Sequence, residues 1–195
     1  MTRAGTAWLA VVAAMPVLVA GCNGGQDEAD AEALRDSTAL FRFERFDTAE
    51  RTDGGEVSLK SLAGRVVVLD LFGTWCPLCR RAAPVLVSLY ERFRGQGLEI
   101  VGLAYEQTAD TAQAKRAVEA FRSEFAVPYV LALGPQAVWD ELREHARVAG
   151  VVPTILLVDR QGVVRDVFEG LPAGHEAVVA DRIERLLAEP AALAP

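Results

Sequence analysis

The 195-residue sequence is poor in histidine, lysine and cysteine, with two, two and three residues respectively. His145 and His175 are far from either end of the one close cysteine pair, so a four-ligand zinc site has no ligand set to draw on. No Lys/Arg-rich run occurs and the net charge is −7, which argues against nucleic acid as a partner. No internal repeat is visible. The apolar run from Ala7 to Ala20 falls short of the ~20 residues that span a bilayer. What is present, 51% apolar and 24% charged residues, suits one packed domain with an appendage.

The appendage is N-terminal. Arg3, then the apolar run, then small residues have the layout of a secretory signal. Its ending, "LVAGC" (Leu18 to Cys22), resembles the lipobox of bacterial lipoproteins. That resemblance implies a signal peptide over 1–21, cleavage before Cys22 and a lipid on its sulfur. Lipidation also explains an odd cysteine in an exported protein. Residues 22–39 are polar, acidic and Gly-led, and read as a flexible tether. The folded domain is expected over 40–190.

From residue 40 the pattern turns regular. "LFRFERF" (40–46) alternates as a half-buried strand does, and "EVSLKSL" (56–62) reads as a short partner strand plus turn. "RVVVLDLF" (65–72) and "LEIVGLAY" (98–105) are strands buried on both faces. Further strands are expected at 127–133, 153–159 and 163–170, the last two as a hairpin at a sheet edge. Helical spacing marks 77–94, 108–125, 135–148 and 175–189. The alternation implies an α/β fold, a mixed central sheet with helices on both faces.

The chemistry centres on "LFGTWCPLCRRAAP" (71–84), in which Cys76 and Cys79 are separated by Pro77 and Leu78. Arg80 stands where a c-type haem site needs His. A disulfide closing so small a loop adds little stability. Redox chemistry remains. The buried strand delivers the chain to the C-terminal edge of the sheet, where open α/β sheets place their sites. Cys76 then starts a helix with Pro77 at its first position. A thiolate there meets free N–H groups and the positive end of the helix dipole. Cys76 is expected as the exposed nucleophile and Cys79 as the deeper resolving thiol. Arg80 and Arg81 read equally well as added charge or as ordinary solvated residues.

With "GVVPTILLVDRQGVV" downstream, these residues resemble the thioredoxin superfamily, and within it the TlpA/ResA-type thiol-disulfide oxidoreductases. The resemblance covers about 40–188. It implies a thioredoxin-like three-layer sandwich with N-terminal strands and a central strand–helix insertion near 107–133. It assigns Pro153 to a cis-proline beside the cysteines, Val152 to backbone pairing with extended substrate, and Trp75 and Pro77 to the substrate-facing rim. Asp70, an acid interrupting the buried strand, matches the buried carboxyl that accepts the Cys79 proton. The resemblance further implies disulfide-bearing protein substrates, a membrane electron donor, no cofactor or metal, and a lipid-anchored site in the cell envelope facing the periplasm.

The sequence departs from that pattern in one place: Ala82 stands where ResA-like proteins carry Glu. Glu106 is an acid at the end of a strand, more readily a surface residue than part of the site rim. Trp139 reads as core. Two other functions stay open. Peroxiredoxins share this fold but place Thr or Ser three residues before the attacking Cys and Pro further upstream, where Gly73 and Leu69 stand here. A non-enzymatic metal-binding lipoprotein is the other; copper-delivery relatives use a wider Cys spacing plus His.

Overall fold

The computed structural model describes residues 40–170 and 175–190. The signal peptide expected over 1–21, the tether expected over 22–39 and Cys22 lie outside the described residues. Among the described residues no helix is long and apolar enough to cross a membrane.

The strands are β1 (Phe41–Arg42), β2 (Ala49–Glu50), β3 (Glu56–Val57), β4 (Val66–Phe72), β5 (Leu98–Ala104), β6 (Val130–Leu133), β7 (Thr154–Val158) and β8 (Val163–Glu169). The helices are α1 (Pro77–Phe93), α2 (Thr111–Phe125), α3 (Gln136–His145) and α4 (His175–Ala188). Six strands form one mixed sheet in the order β1-β8-β7-β4-β5-β6, and β2 and β3 make a separate antiparallel pair. β4 lies centrally, parallel to β5 and antiparallel to β7. The α2–β6 unit falls in the expected 107–133 insertion and adds β6 in parallel outside β5.

Why β4 is apolar throughout follows from its place: both faces are covered. Val66, Val68 and Phe72 pack against Leu86, Leu89 and Phe93 of α1, with Val118 and Phe121 of α2 and Val179 and Ile183 of α4. Val67, Leu69 and Leu71 face the other way, toward Val138, Trp139 and Leu142 of α3 and toward Phe46, Ala49 and Val57. Each large side chain so buried stabilises the fold by roughly 1.5–3 kcal/mol. Asp70, by the two-residue period of a strand, points to the α1 side. Trp139 is core, as expected. Asp110 caps α2, accepting N–H bonds from Ala112 (2.9 Å) and Gln113 (3.0 Å).

Two expectations fail at the N-terminal side. The strand expected over 40–46 shrinks to Phe41–Arg42, paired with Val164 and Val163 of β8. Consequently the β7–β8 hairpin is not the sheet edge; β1 is. Past Phe43 the chain leaves the sheet, and the amides of Glu44 and Arg45 find a different acceptor. Buried Glu141 on α3 takes the N–H of Glu44 (2.6 Å) and of Arg45 (2.9 Å). Replacing Glu141 by Ala strands both amides, and we expect a loss of about 2–3 kcal/mol on thermal or urea unfolding. An unchanged melting temperature would show the carboxylate to be idle.

Candidate active site

β4 ends at Phe72, in register with Ala104 of β5, and the Tyr105 N–H still reaches the Phe72 carbonyl at 2.8 Å. Past this point Gly73, Thr74 and Trp75 carry the chain to Cys76. The Cys76 N–H bonds back to the Gly73 carbonyl at 3.1 Å, which closes the turn. Cys76 is itself the N-cap of α1, extended at φ −85° and ψ 117°, with Pro77 following at the start of the helix. Its Sγ accepts the Cys79 N–H at 3.2 Å. A sulfur thus does what a Ser or Asp oxygen does at most helix starts. A thiolate at that atom gains a charge-assisted bond from an amide that has no intrahelical partner.

The expected contrast in exposure is not found. Cys76 retains only 4% of its surface and Cys79 2%. The Val152–Pro153 segment lies against Cys76. The peptide between these residues is cis, and the Cys76 thiol points at the Val152 carbonyl, 3.6 Å away. Thr154 Oγ1 donates to the Val151 carbonyl at 2.6 Å, and the Gly170 N–H to that of Pro153 at 2.8 Å, so the segment is tied at both ends. Around the buried sulfurs stand exposed apolar groups: Trp75 at 46%, Val151 at 48%, and Pro77.

Asp70 lies beneath. Flanked by Gly102 and Ile155 on the neighbouring strands, it is buried with no hydrogen-bond partner for its Oδ1. Burial alone carries its carboxyl from an ordinary 3.8 to about 7. Its charge is felt at Cys79, whose thiol is pushed far up, first by burial, then by the Cys76 sulfur, and also by Asp70. Tyr129 on the same side is raised likewise, by burial first and Asp70 second. Asp70 and Cys76 thus both act on the Cys79 thiol, holding its proton in place.

The remaining candidates separate. Arg80 is drawn aside: it pairs with Glu124, lies over the Phe125 ring at 5.1 Å from its centroid, and donates to the Thr74 carbonyl at 3.4 Å. Arg81 is exposed and Ala82 is buried in the core. Glu106, read from sequence as a surface residue, instead joins the site. It accepts the Thr74 N–H at 2.8 Å and the Thr74 hydroxyl at 2.7 Å. Thr74 was not singled out by the sequence. No periodicity links positions that are 32 residues apart.

The AhpC/TSA family model matches residues 42–167. The thiol-disulfide oxidoreductase ResA of Geobacillus kaustophilus (strain HTA426) is 30% identical over 117 residues, covering 60% of this chain and 62% of that protein. The protein of the same name from Bacillus subtilis (strain 168) is 30% identical over 121 residues, 62% of each chain. The chain thus spans less than two thirds of the length of each of these two relatives. Among solved structures, a putative thiol:disulfide interchange protein DsbE from Chlorobium tepidum superimposes with a TM-score of 0.64 at 21% identity, over 77% of this chain and 98% of that one. A putative protein disulfide isomerase from Bacteroides thetaiotaomicron gives 0.61 at 24% identity, over 77% and 95%. These likenesses establish the thioredoxin-like sandwich.

Proposed function

The chain belongs to the AhpC/TSA family, and from that premise we propose that it is a thiol-disulfide oxidoreductase acting on protein disulfides through Cys76 and Cys79. The observation that carries this is the Cys76 sulfur at the helix start, accepting the Cys79 amide and facing Val152, with Cys79 one turn behind it. The Cys76 thiolate attacks one sulfur of a substrate disulfide. The other substrate sulfur leaves as a thiolate, and a mixed disulfide remains. Cys79 loses its proton to ionised Asp70 and attacks the Cys76 sulfur. The second substrate thiol departs, and the protein keeps the Cys76–Cys79 disulfide. Two electrons have passed to the substrate. Val152, Trp75, Pro77 and Pro153 supply the surface on which the substrate backbone and side chains rest.

The lipobox-like "LVAGC" supports a lipid anchor at Cys22 and, with it, a site on the extracytoplasmic face. A reductase there needs a membrane electron donor to reset it, because such compartments are kept oxidising. Among the described residues no group of three or more His, Cys, Asp or Glu side chains could hold a metal ion.

Peroxidase chemistry is disfavoured by one contact. A Cβ on Gly73, where peroxiredoxins carry Thr or Ser, would fall 2.5 Å from Trp75 Nε1. The reduced chain is therefore expected to lose both active-site thiols on mixing with a disulfide peptide and to consume hydrogen peroxide no faster than free thiol. The reverse ranking would overturn the reading. In the same preparation the couple should poise nearer about −270 mV than about −120 mV; the latter would make it an oxidase.

A further inference from the structure

We propose that Glu106 is a positioning residue that holds the Gly73–Trp75 segment in the shape a protein disulfide docks on, acting through Thr74. The proposal deepens the exchange function above and rests on it.

The sheet ladder stops one residue short of the site. The last backbone bond is from the Tyr105 N–H to the Phe72 carbonyl, and from there side chains replace backbone partners. Glu106 takes both the amide and the hydroxyl of Thr74. The Trp75 indole N–H donates to the Tyr105 carbonyl at 3.0 Å. Arg80 takes the Thr74 carbonyl, and Arg80 is itself gripped by Glu124 and Phe125 of α2. Every polar group of Thr74 is thus claimed by a side chain from elsewhere.

The holding side is rigid. The Tyr105 hydroxyl donates to the Pro135 carbonyl at 3.0 Å and its ring lies 5.4 Å from that of Trp139. Gly134 leaves the space that this ring fills; a Cβ there would come within 2.4 Å of it. Glu106 therefore leaves a fixed strand end, and what it holds is the residue before Trp75. Trp75 in turn lies across Gly73 and forms, with Pro77 and Val151, the exposed apolar rim around Cys76. With the latch released, nothing else ties the Thr74 amide and hydroxyl, and Trp75 keeps a single bond.

A carboxylate is not required for this geometry. In Glu106→Gln the amide oxygen can accept the Thr74 N–H while its NH₂ donates to the Thr74 hydroxyl oxygen. Glu106→Ala has neither. The full chain, Glu106→Ala, Glu106→Gln and Thr74→Val are to be compared with insulin as protein disulfide and with a small aromatic disulfide. Glu106→Ala should raise KM for insulin about tenfold with kcat little changed, the loss of roughly one charge-assisted hydrogen bond. The small disulfide, which does not touch the rim, should react within about twofold of wild type, Gln should restore insulin turnover, and Val should fall between.

Equal losses on both substrates, or a Gln variant as poor as Ala, overturn the proposal, as does an Ala variant equal to wild type. Amide exchange at Thr74 needs no substrate: protection should be lost in Glu106→Ala and kept in Glu106→Gln. Should the wild type exchange with no disulfide at all, the oxidoreductase reading fails, and Thr74 protection still decides whether the latch exists.

Discussion

Asp70→Asn is expected to make the reduced protein more stable at pH 8 while slowing release of its substrate. The carboxyl ionises at about 7 in the folded chain and near 3.8 once unfolded. Between those values the folded state holds a proton that the unfolded state has lost, so stability falls as pH rises through the window. Below it the carboxyl is neutral in both states and the effect is absent. Above it the full penalty applies, on the order of 4 kcal/mol at about 1.4 kcal/mol per pH unit. Asn carries no such titration, though its buried amide inherits the missing partner of Oδ1 at a pH-independent cost of about 1–3 kcal/mol.

The two stability-versus-pH curves from urea unfolding should therefore cross between about pH 4.5 and 6 and separate toward pH 8, with the variant above. Parallel stability profiles would show that Asp70 is already ionised at low pH. Cys79 does not blur the window. Its thiol is also raised, but that pull acts only above an ordinary 9.0. In kinetics, Asn cannot take the Cys79 proton. Resolution of the mixed disulfide should slow on the order of 10²-fold near pH 7, with alkylation of Cys76 retained. Unchanged resolution would remove Asp70 from the mechanism.

The second large effect is asymmetry between the cysteines. Cys79→Ser should accumulate a covalent adduct with a disulfide substrate, visible on a non-reducing gel, whereas Cys76→Ser should give none. The two side chains differ little in exposure, so depth does not decide their roles. Position does. The Cys76 sulfur receives the Cys79 amide and borders the rim formed by Trp75 and Val151. Cys79 sits behind it beside a buried acid, and burial holds its proton. Cys76→Ser keeps a cap, since its hydroxyl can accept the same amide, so loss of reaction in that variant is not loss of fold. A stable adduct through Cys79 would reverse the assignment.

Much of the frame was legible in the chain. The apolar runs at 66–72 and 98–104 announced strands covered on both faces, and helical spacing marked α1 to α4 within a few residues. Cys76 before Pro77 announced a helix start. Asp70 stood out because an acid breaks an apolar run. These signals are local, and the burial that shapes them recurs every two or 3.6 residues.

Other features had no local trace. The two-residue strands β1 and β2 are too short to show a period. Glu106 reads as an ordinary strand-end acid until β4 and β5 lie side by side and bring it to Thr74. Glu141 falls within an amphipathic helix pattern, yet its carboxylate accepts the amides of Glu44 and Arg45 past β1. The cis form of the Val152–Pro153 bond came only from the resemblance. The burial of Cys76, against which that segment lies, was equally absent from the local pattern. The sequence by itself determined which segments are buried and where the sulfur pair begins its helix, because periodicity and capping act over a few residues. Only the tertiary structure decided which backbone groups are left without a neighbour at the end of the sheet, and so which distant side chains, Glu106 and Glu141 among them, must satisfy them.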